Sequence, residues 1–166
     1  MRVGIGYDSH RFSRARRPLR LGGVTIPESP GLEGHSDADV VLHAVADALL
    51  GAVGGPDLGE LFPPSDPRYR GMPSRHFIAQ ALRRVRSAGW RVGNVDTVVV
   101  ADRPTLTPYK AKMRRAISGL LNISEDAVSV KAKTTEGFPP KAQGIMAYAV
   151  ALLEPSARRR VQRKPS

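Results

Sequence analysis

Residues Gly34–Gly51 read GHSDADVVLHAVADALLG, and this stretch organises the rest of the chain. Val40, Val41, Ala44, Val45, Ala48 and Leu49 recur at the spacing of one helix face. Ser36 is a suitable N-cap, and Asp37 and Asp39 would then sit in the first turn, where the helix dipole favours carboxylates. The pattern predicts a helix from Ser36 to about Leu50, stopped by Gly51, Gly54 and Gly55. On its other face Asp39, His43 and Asp47 fall at i, i+4 and i+8, one above another. Two of the four histidines of the chain and three aspartates are thus gathered on one short element.

An apolar helix stripe needs a surface to cover, and the flanking sequence supplies strands. Arg2–Asp8 alternates, with Val3, Ile5 and Tyr7 on one face and Gly4, Gly6 and Asp8 on the other. Continued extension puts Asp8 and His10 on the same side. Leu19–Leu21 and Val24–Ile26 flank Gly22-Gly23, a short hairpin signal. C-terminal to the helix, Asp57–Phe62 fits one helical turn, and Ser65–Met72 reads as loop. Ser74 caps a second helix to about Ala88, with Phe77, Ile78, Ala81, Leu82 and Val85 inward and Arg83, Arg84 and Arg86 outward. Val92–Ala101 is a strand, Tyr109–Leu121 a third helix and Ala127–Ala132 a strand. Period two favours a strand over a helix for the apolar run Gly144–Leu153. Strands separated by helices predict one sheet with helices packed on it, an α/β sandwich.

The chain of 166 residues has the size of one domain. It has no cysteine, which excludes disulfides and thiolate metal ligands and fits a reducing compartment. The N-terminus carries no apolar run of signal-peptide length and nothing approaches a membrane span, so the expected location is cytoplasmic. Five arginines between Arg11 and Arg20, and five basic residues between Arg158 and Lys164, account for ten of the eleven excess positive charges. Residues 21–67, by contrast, hold eight carboxylates and no lysine or arginine. An acidic segment containing histidines is where a cation would bind; the basic runs could attract polyanions. Pro155 and Pro165 bracket the second run, so 155–166 is expected to be a basic, disordered tail following a domain of residues 1–154.

Asp8, His10 and His43 form a donor set suited to zinc or another divalent ion, with a position left open for a substrate oxygen. Asp39 or Asp47 is a candidate to orient His43. His35 and Ser36, at the expected helix start, offer a phosphate site. Lys131–Glu136 (KAKTTE) offers hydroxyls, ammoniums and a carboxylate at a strand end, groups that suit phosphate with Mg²⁺. Asp57-Leu58-Gly59 and the Phe62–Asp66 loop are shaped to meet sugar hydroxyls or simply to turn. No P-loop, G-x-G-x-x-G or Ser-His-Asp arrangement is present. The residues alone point to a metal-dependent enzyme acting on a phosphorylated small molecule.

Six pieces in order, Gly6–Phe12 (GYDSHRF), Leu21–Pro27 (LGGVTIP), Gly34–His43 (GHSDADVVLH), Asp57–Pro67 (DLGELFPPSDP), Gly93–Asp96 (GNVD) and Val130–Phe138 (VKAKTTEGF), resemble the 2-C-methyl-D-erythritol 2,4-cyclodiphosphate synthases of non-mevalonate isoprenoid biosynthesis. The resemblance implies an α+β fold: a mostly four-stranded mixed sheet with helices on one face, plus a small N-terminal hairpin. It also implies a homotrimer with active sites between subunits. Zn²⁺ is implied on Asp8, His10 and His43. A second divalent cation, Mg²⁺ or Mn²⁺, is implied between Glu136 and the diphosphate of the substrate. The implied reaction, that of a phosphorus–oxygen lyase, closes 4-diphosphocytidyl-2-C-methyl-D-erythritol 2-phosphate into the cyclic diphosphate and releases CMP. His35 and Thr134 match the positions that stabilise the transition state. Ser36 is implied to face the phosphates, and Asp57, Gly59, Phe62, Ser65 and Asp66 match the methylerythritol-phosphate pocket. Ala101, Pro104, Leu106 and Thr107, with Lys133 and Thr135, match the cytidine pocket, and Phe138 and Lys141 the loop that follows.

Lys133 stands where threonine is common, Lys141 where arginine is frequent, and the loop after Glu136 is about two residues short. Gln143 and Tyr148 replace positions often held by glutamate near the trimer axis, where some members bind an isoprenoid diphosphate. The resemblance therefore does not carry that axial site over. Two other readings stand beside it. One is a different phosphoesterase on the same scaffold, with water as nucleophile. The other is a nucleic-acid-binding protein, disfavoured because the basic runs lie in a loop and a tail rather than on one helix face with aromatics.

Overall fold

The computed structural model of the protein describes residues 1–137 and 143–156. Strands β1 (Arg2–Arg11), β4 (Trp90–Val100), β5 (Val128–Lys133) and β6 (Gly144–Pro155) form one sheet in the order β1-β6-β4-β5. The pairings β1–β6 and β6–β4 are antiparallel and β4–β5 is parallel, so the sheet is mixed. Strands β2 (Pro18–Leu21) and β3 (Val24–Pro30) form the separate hairpin. Its two-residue turn has Gly22 and Gly23 at φ of +57° and +79°, the left-handed pair that a tight hairpin turn requires.

Helices α1 (Val40–Ala52), α3 (Arg75–Ser87) and α4 (Lys110–Leu121) cover one face of the sheet, and the short α2 spans Leu58–Leu61. The covered face carries Ile145, Ala147, Ala149, Ala151 and Leu153 from β6, with Val95 and Val99 from β4, all buried. Helix α1 is buried almost all round, because β1 and β6 lie beneath it and α3 beside it.

The approach of α1 to β1 depends on glycine. A Cβ added at Gly6 would lie 2.0 Å from the carbonyl oxygen of Ala44, and one at Gly4 2.0 Å from that of Ala48. The alternation of β1 therefore sends its glycines inward and its large side chains outward. Val3, Ile5 and Tyr7 are 64%, 71% and 48% exposed. Across the ladder Ile5 faces Val150 and Tyr7 faces Tyr148, with the tyrosine rings 4.9 Å apart. One apolar sheet face is thus left uncovered, larger in character than the scattered apolar residues of an ordinary surface.

The first helix starts later than expected. Ser36 is not its cap: Ala38 takes a left-handed φ of +58°, which breaks the helical path, and α1 begins at Val40 with Asp39 as N-cap. The carboxylate of Asp39 accepts from Leu42 N at 3.1 Å and from Gly22 N and Gly23 N at 2.7 and 2.6 Å, tying the hairpin turn to the helix. Residues 35–37 are instead drawn to the chain before α3: Gly71 N donates to the His35 carbonyl at 2.6 Å and Asp37 N to that of Met72 at 3.2 Å. The helix also runs past Gly51 to Ala52, and Gly54, at φ +69°, turns the chain. The segment Ser65–Met72 contains a 3₁₀ turn at Pro67–Tyr69. Strand β1 runs three residues past the expected Asp8 and β3 four past Ile26; the other elements match the expected ones to within one or two residues, including the strand at Gly144. The tail from 157 lies outside the described residues.

Candidate active site

Period two in β1 places Asp8 and His10 on the same face as Gly4 and Gly6, toward α1. His43 precedes Ala44, whose backbone rests on Gly6, so the close packing that glycine permits also carries His43 to Asp8. Asp8 Oδ2 lies 2.8 Å from His43 Nδ1 and 3.0 Å from His10 Nε2, and the two imidazole nitrogens are 3.4 Å apart. A tetrahedral ion with donors at about 2.0–2.1 Å spaces them about 3.3 Å from one another, so this trio fits one with adjustments of a few tenths of an ångström. Among the described residues these three form a group of converging metal donors. Burial works to raise the pKa of Asp8, but hydrogen bonds and charge from His10 and His43 outweigh it and hold the carboxyl well below the usual range.

Neither Asp39 nor Asp47 orients His43, contrary to expectation. Asp39 is spent on the α1 cap and the hairpin. Asp47 accepts from Leu58 N at 2.8 Å and so anchors the start of α2; burial pushes its carboxyl up. The partners of His43 Nε2 are Ser74 Oγ at 2.9 Å and Ser36 Oγ at 3.2 Å. Ser36 is buried, and its Oγ also accepts from Ala38 N at 3.0 Å. The expected phosphate site on the N-terminus of α1 is therefore absent: that terminus is buried and already filled by the Asp39 carboxylate.

A cavity of about 140 Å³ opens beside the trio, lined by His35, Ser36, His43, Gly59, Phe62 and Phe77 among others. His35 is exposed at its rim. Phe62 and Phe77 stack at 4.7 Å, and Phe77 meets the His43 ring edge-on at 5.5 Å, so the cavity has an apolar wall. Asp57 caps α2 by accepting from Glu60 N at 2.8 Å, Ser65 is exposed, and Asp66 is bound by Arg68, whose hydrogen bonds hold its carboxyl below the usual range. These three shape the loop and do not line the cavity within one subunit. Arg17 clamps the turn that bears His35, donating to the carbonyls of Gly34 at 3.1 Å and Ser36 at 2.7 Å. Sequence reasoning placed Arg17 only in a basic run, and no local signal distinguishes it from its neighbours there.

A second group of site residues assembles at the other side of the sheet. Ala101 N donates to the Lys133 carbonyl at 2.9 Å, and Asp102 accepts from Thr135 N at 2.8 Å and from Thr135 Oγ1 at 2.9 Å. Asp102 was not anticipated; it locks the two loops together. The Ala101 and Leu106 side chains are buried in the core, so only their main-chain groups are offered to a ligand, whereas Thr107 and Lys133 are exposed and Pro104 half-buried. Thr134 Oγ1 donates to the carboxylate of Glu136, a residue at φ +53°. Phe138 and Lys141 lie outside the described residues.

The two groups do not meet within the chain. His10 pairs with Ile145, and Val100 pairs with both Met146 and Lys133, so the residues share one end of the sheet but sit on its opposite edges. Three inter-strand spacings separate β1 from β5, roughly 14 Å.

Comparison with known proteins bears on this arrangement. The model of the YgbB family matches residues 1–154. The chain belongs to this family. Curated relatives are named 2-C-methyl-D-erythritol 2,4-cyclodiphosphate synthase. The one from Alkalilimnicola ehrlichii is 50% identical over 155 residues, covering 92% of this chain and 94% of the relative. The one from Koribacter versatilis is 49% identical over 154 residues, covering 93% and 98%. A solved CDP-bound 2-C-methyl-D-erythritol-2,4-cyclodiphosphate synthase superposes with a TM-score of 0.84 at 40% identity, over 92% of this chain and all of that one. The YgbB-family fold accordingly accounts for the mixed sheet, the one-sided helices and the hairpin.

Proposed function

We infer that this chain is the metal-dependent lyase that converts 4-diphosphocytidyl-2-C-methyl-D-erythritol 2-phosphate to 2-C-methyl-D-erythritol 2,4-cyclodiphosphate and CMP. The observation that carries the reading is the convergence of Asp8, His10 and His43 beside a small cavity rimmed by His35, within a chain matched to the family over residues 1–154. In the reaction an oxygen of the 2-phosphate forms a bond to the β-phosphorus, and the bond from that phosphorus to the bridging oxygen breaks, its electron pair leaving with CMP. Both reacting groups belong to one molecule, so the protein has to fold the substrate and offset charge rather than supply a nucleophile. Zn²⁺ held by Asp8, His10 and His43, with Mg²⁺ or Mn²⁺ at Glu136, would supply the positive charge that neutralises the phosphates.

The protein groups then divide by role. His35, clamped by Arg17 through its turn, and Thr134 face the developing charge. Ser36 stands behind the phosphates. Gly59 and Phe62, with the loop through Asp57, Ser65 and Asp66, receive the methylerythritol phosphate. The main chain of Ala101–Thr107 with Lys133 and Thr135 receives the cytidine, and Phe138 and Lys141 lie along the loop that follows. The subunits form a trimer through the uncovered face of Val3, Ile5, Tyr7, Tyr148 and Val150, setting the Asp8 side of one subunit against the Glu136 side of the next. On that face Asp96 accepts from Lys131 Nζ, and hydrogen bonds, the one from that ammonium first among them, hold its carboxyl below the usual range. Residues 157–166 are proposed to be a tail dispensable for the chemistry; the tail begins later than expected, because Pro155 pairs with Trp90 at the end of β6 and Ser156 N donates to the Gly89 carbonyl. No helix among the described residues is long and apolar enough to cross a membrane, in keeping with a cytoplasmic enzyme.

The direct test is incubation with the cytidyl substrate and identification of the products by ³¹P NMR. Cyclic diphosphate with CMP is expected; a linear product would instead favour a phosphoesterase on this scaffold. His43→Ala is expected to lose bound zinc and activity while its circular dichroism remains native, and zinc retained at one per subunit would refute the ligand set. Ile5→Asp is expected to shift the protein to monomers by sedimentation velocity and to remove activity, because a charge replaces an apolar side chain at the centre of the uncovered face. Arg17, at least, serves the fold: it is held by the carbonyls of Gly34 and Ser36 in the turn that bears His35.

A further inference from the structure

We propose that Ser74, anchored by Asp37, is the positioning residue that sets the ring orientation and tautomer of His43. The inference rests on His43 being a metal ligand and adds how the chain presents it.

Ser74 occupies the N-cap position of α3, yet its side chain makes no capping bond. It forgoes the capping interaction that serines at such positions usually make. The residue is fully buried, and its hydroxyl lies between His43 Nε2, at 2.9 Å, and Asp37 Oδ1. Asp37 also accepts from Ser74 N at 3.1 Å, so the carboxylate grips the serine at two points.

With His43 acting as a neutral metal ligand, the donors and acceptors leave one consistent assignment. A carboxylate only accepts, and Asp37 Oδ1 therefore takes the single hydroxyl proton of Ser74. The remaining Ser74 lone pairs face His43 Nε2, which must donate. Ser36 Oγ, the other neighbour of Nε2, also has lone pairs free to accept. With the proton on Nε2, the lone pair of neutral His43 is on Nδ1, directed at Asp8 Oδ2. Two acceptors 2.8 Å apart repel unless a cation lies between them. The Asp37–Ser74 pair thus turns His43 into a ligand poised through Nδ1, and it does so from the start of α3, an element separate from both β1 and α1. Hydrogen bonds of this kind to ligating histidines fix the tautomer and raise ligand basicity.

The test uses full-length protein stripped of metal and titrated with Zn²⁺ against a chromogenic chelator. Ser74→Ala is expected to weaken zinc binding by about 10–100-fold. Its ¹⁵N-histidine spectrum should show His43 losing the single Nε2–H tautomer. The melting temperature of the metal-free protein is recorded alongside and is expected to fall, because the lost hydroxyl leaves its Asp37 and His43 partners unpaired. Asp37→Asn weakens the same grip without touching the hydroxyl and is expected to lower zinc affinity by a smaller factor; it serves as the second reading if Ser74→Ala does not fold. His43→Ala run in parallel separates the two claims. Zinc lost in His43→Ala but bound within twofold of wild type in Ser74→Ala or, if that does not fold, in Asp37→Asn overturns the positioning role alone. Zinc retained in His43→Ala overturns the ligand reading itself.

Discussion

Gly6→Ala is expected to destroy the metal-binding subunit, although it adds a single methyl group. The new Cβ would lie 2.0 Å from the Ala44 carbonyl oxygen, 2.7 Å from Ala48 N and 2.9 Å from the Ala44 carbonyl carbon. All three are backbone atoms of α1, and no rotamer change can move them. Relief requires lifting the helix from the strand by an ångström or more, along the element that carries His43, Val41, Val45 and Leu49. Overpacking with adaptable side chains typically costs 1–3 kcal/mol, and a rigid clash such as this should reach or exceed about 3 kcal/mol. That is a large fraction of a total stability of about 5–15 kcal/mol. The measurement is the urea midpoint of the metal-free variant, followed by zinc titration of whatever folds. Gly119→Ala is the control: apart from its own helix backbone and chain neighbours no atom lies within 4 Å of its Cβ position, on the exposed side of α4, and stability should be unchanged or higher by up to about 1 kcal/mol. A Gly6→Ala protein with wild-type midpoint and zinc affinity would show that the closeness of α1 to β1 is not a requirement of the fold.

The same glycines show where sequence reading stops. The alternation in Arg2–Asp8 is legible as a strand, and period two correctly places Asp8 and His10 on one side. What alternation cannot say is which face turns inward. Here the apolar face turns out, because Gly4 and Gly6 let a helix lie on the other face of the strand. The metal trio was legible because each member sits on a strongly patterned element, so its direction follows from the local period. Asp37 was misread for the opposite reason. An aspartate after Ser36 signals a first turn, but backbone bonds from Gly71 to His35 and from Asp37 to Met72 pull residues 35–37 out of the helix. Ser74 does stand at the N-cap of α3, as its pattern signals, but its hydroxyl is held by Asp37 and His43 instead of capping. Such ties join segments over thirty residues apart and leave no periodic trace. The separation of the Asp8 and Glu136 groups was equally hidden, since strand order is decided by how the chain crosses the sheet.

Mixing two inactive variants is expected to restore activity. His43→Ala spoils the metal group at β1 and α1, and Glu136→Ala spoils the group beyond β5. Within one subunit these groups stand on opposite edges of the sheet, three inter-strand spacings apart, roughly 14 Å. On the proposed reading, a methylerythritol chain with its phosphates is gripped by both at once. A closed ring of subunits meeting head to tail solves this, because each site then draws one group from each of two neighbours. Each variant alone has every site damaged. After unfolding and refolding together at equal concentration, a site is intact when its metal side comes from a Glu136→Ala subunit and its other side from a His43→Ala subunit. Random assembly produces this in about one site in four, so about a quarter of wild-type activity should return. Activity that stays at the level of the separate variants, with mixed oligomers shown to be present by native mass spectrometry, would mean that each site is built from one chain. In that case the edges must be bridged by movement within the subunit, and the apolar face of β1 and β6 would need another occupant.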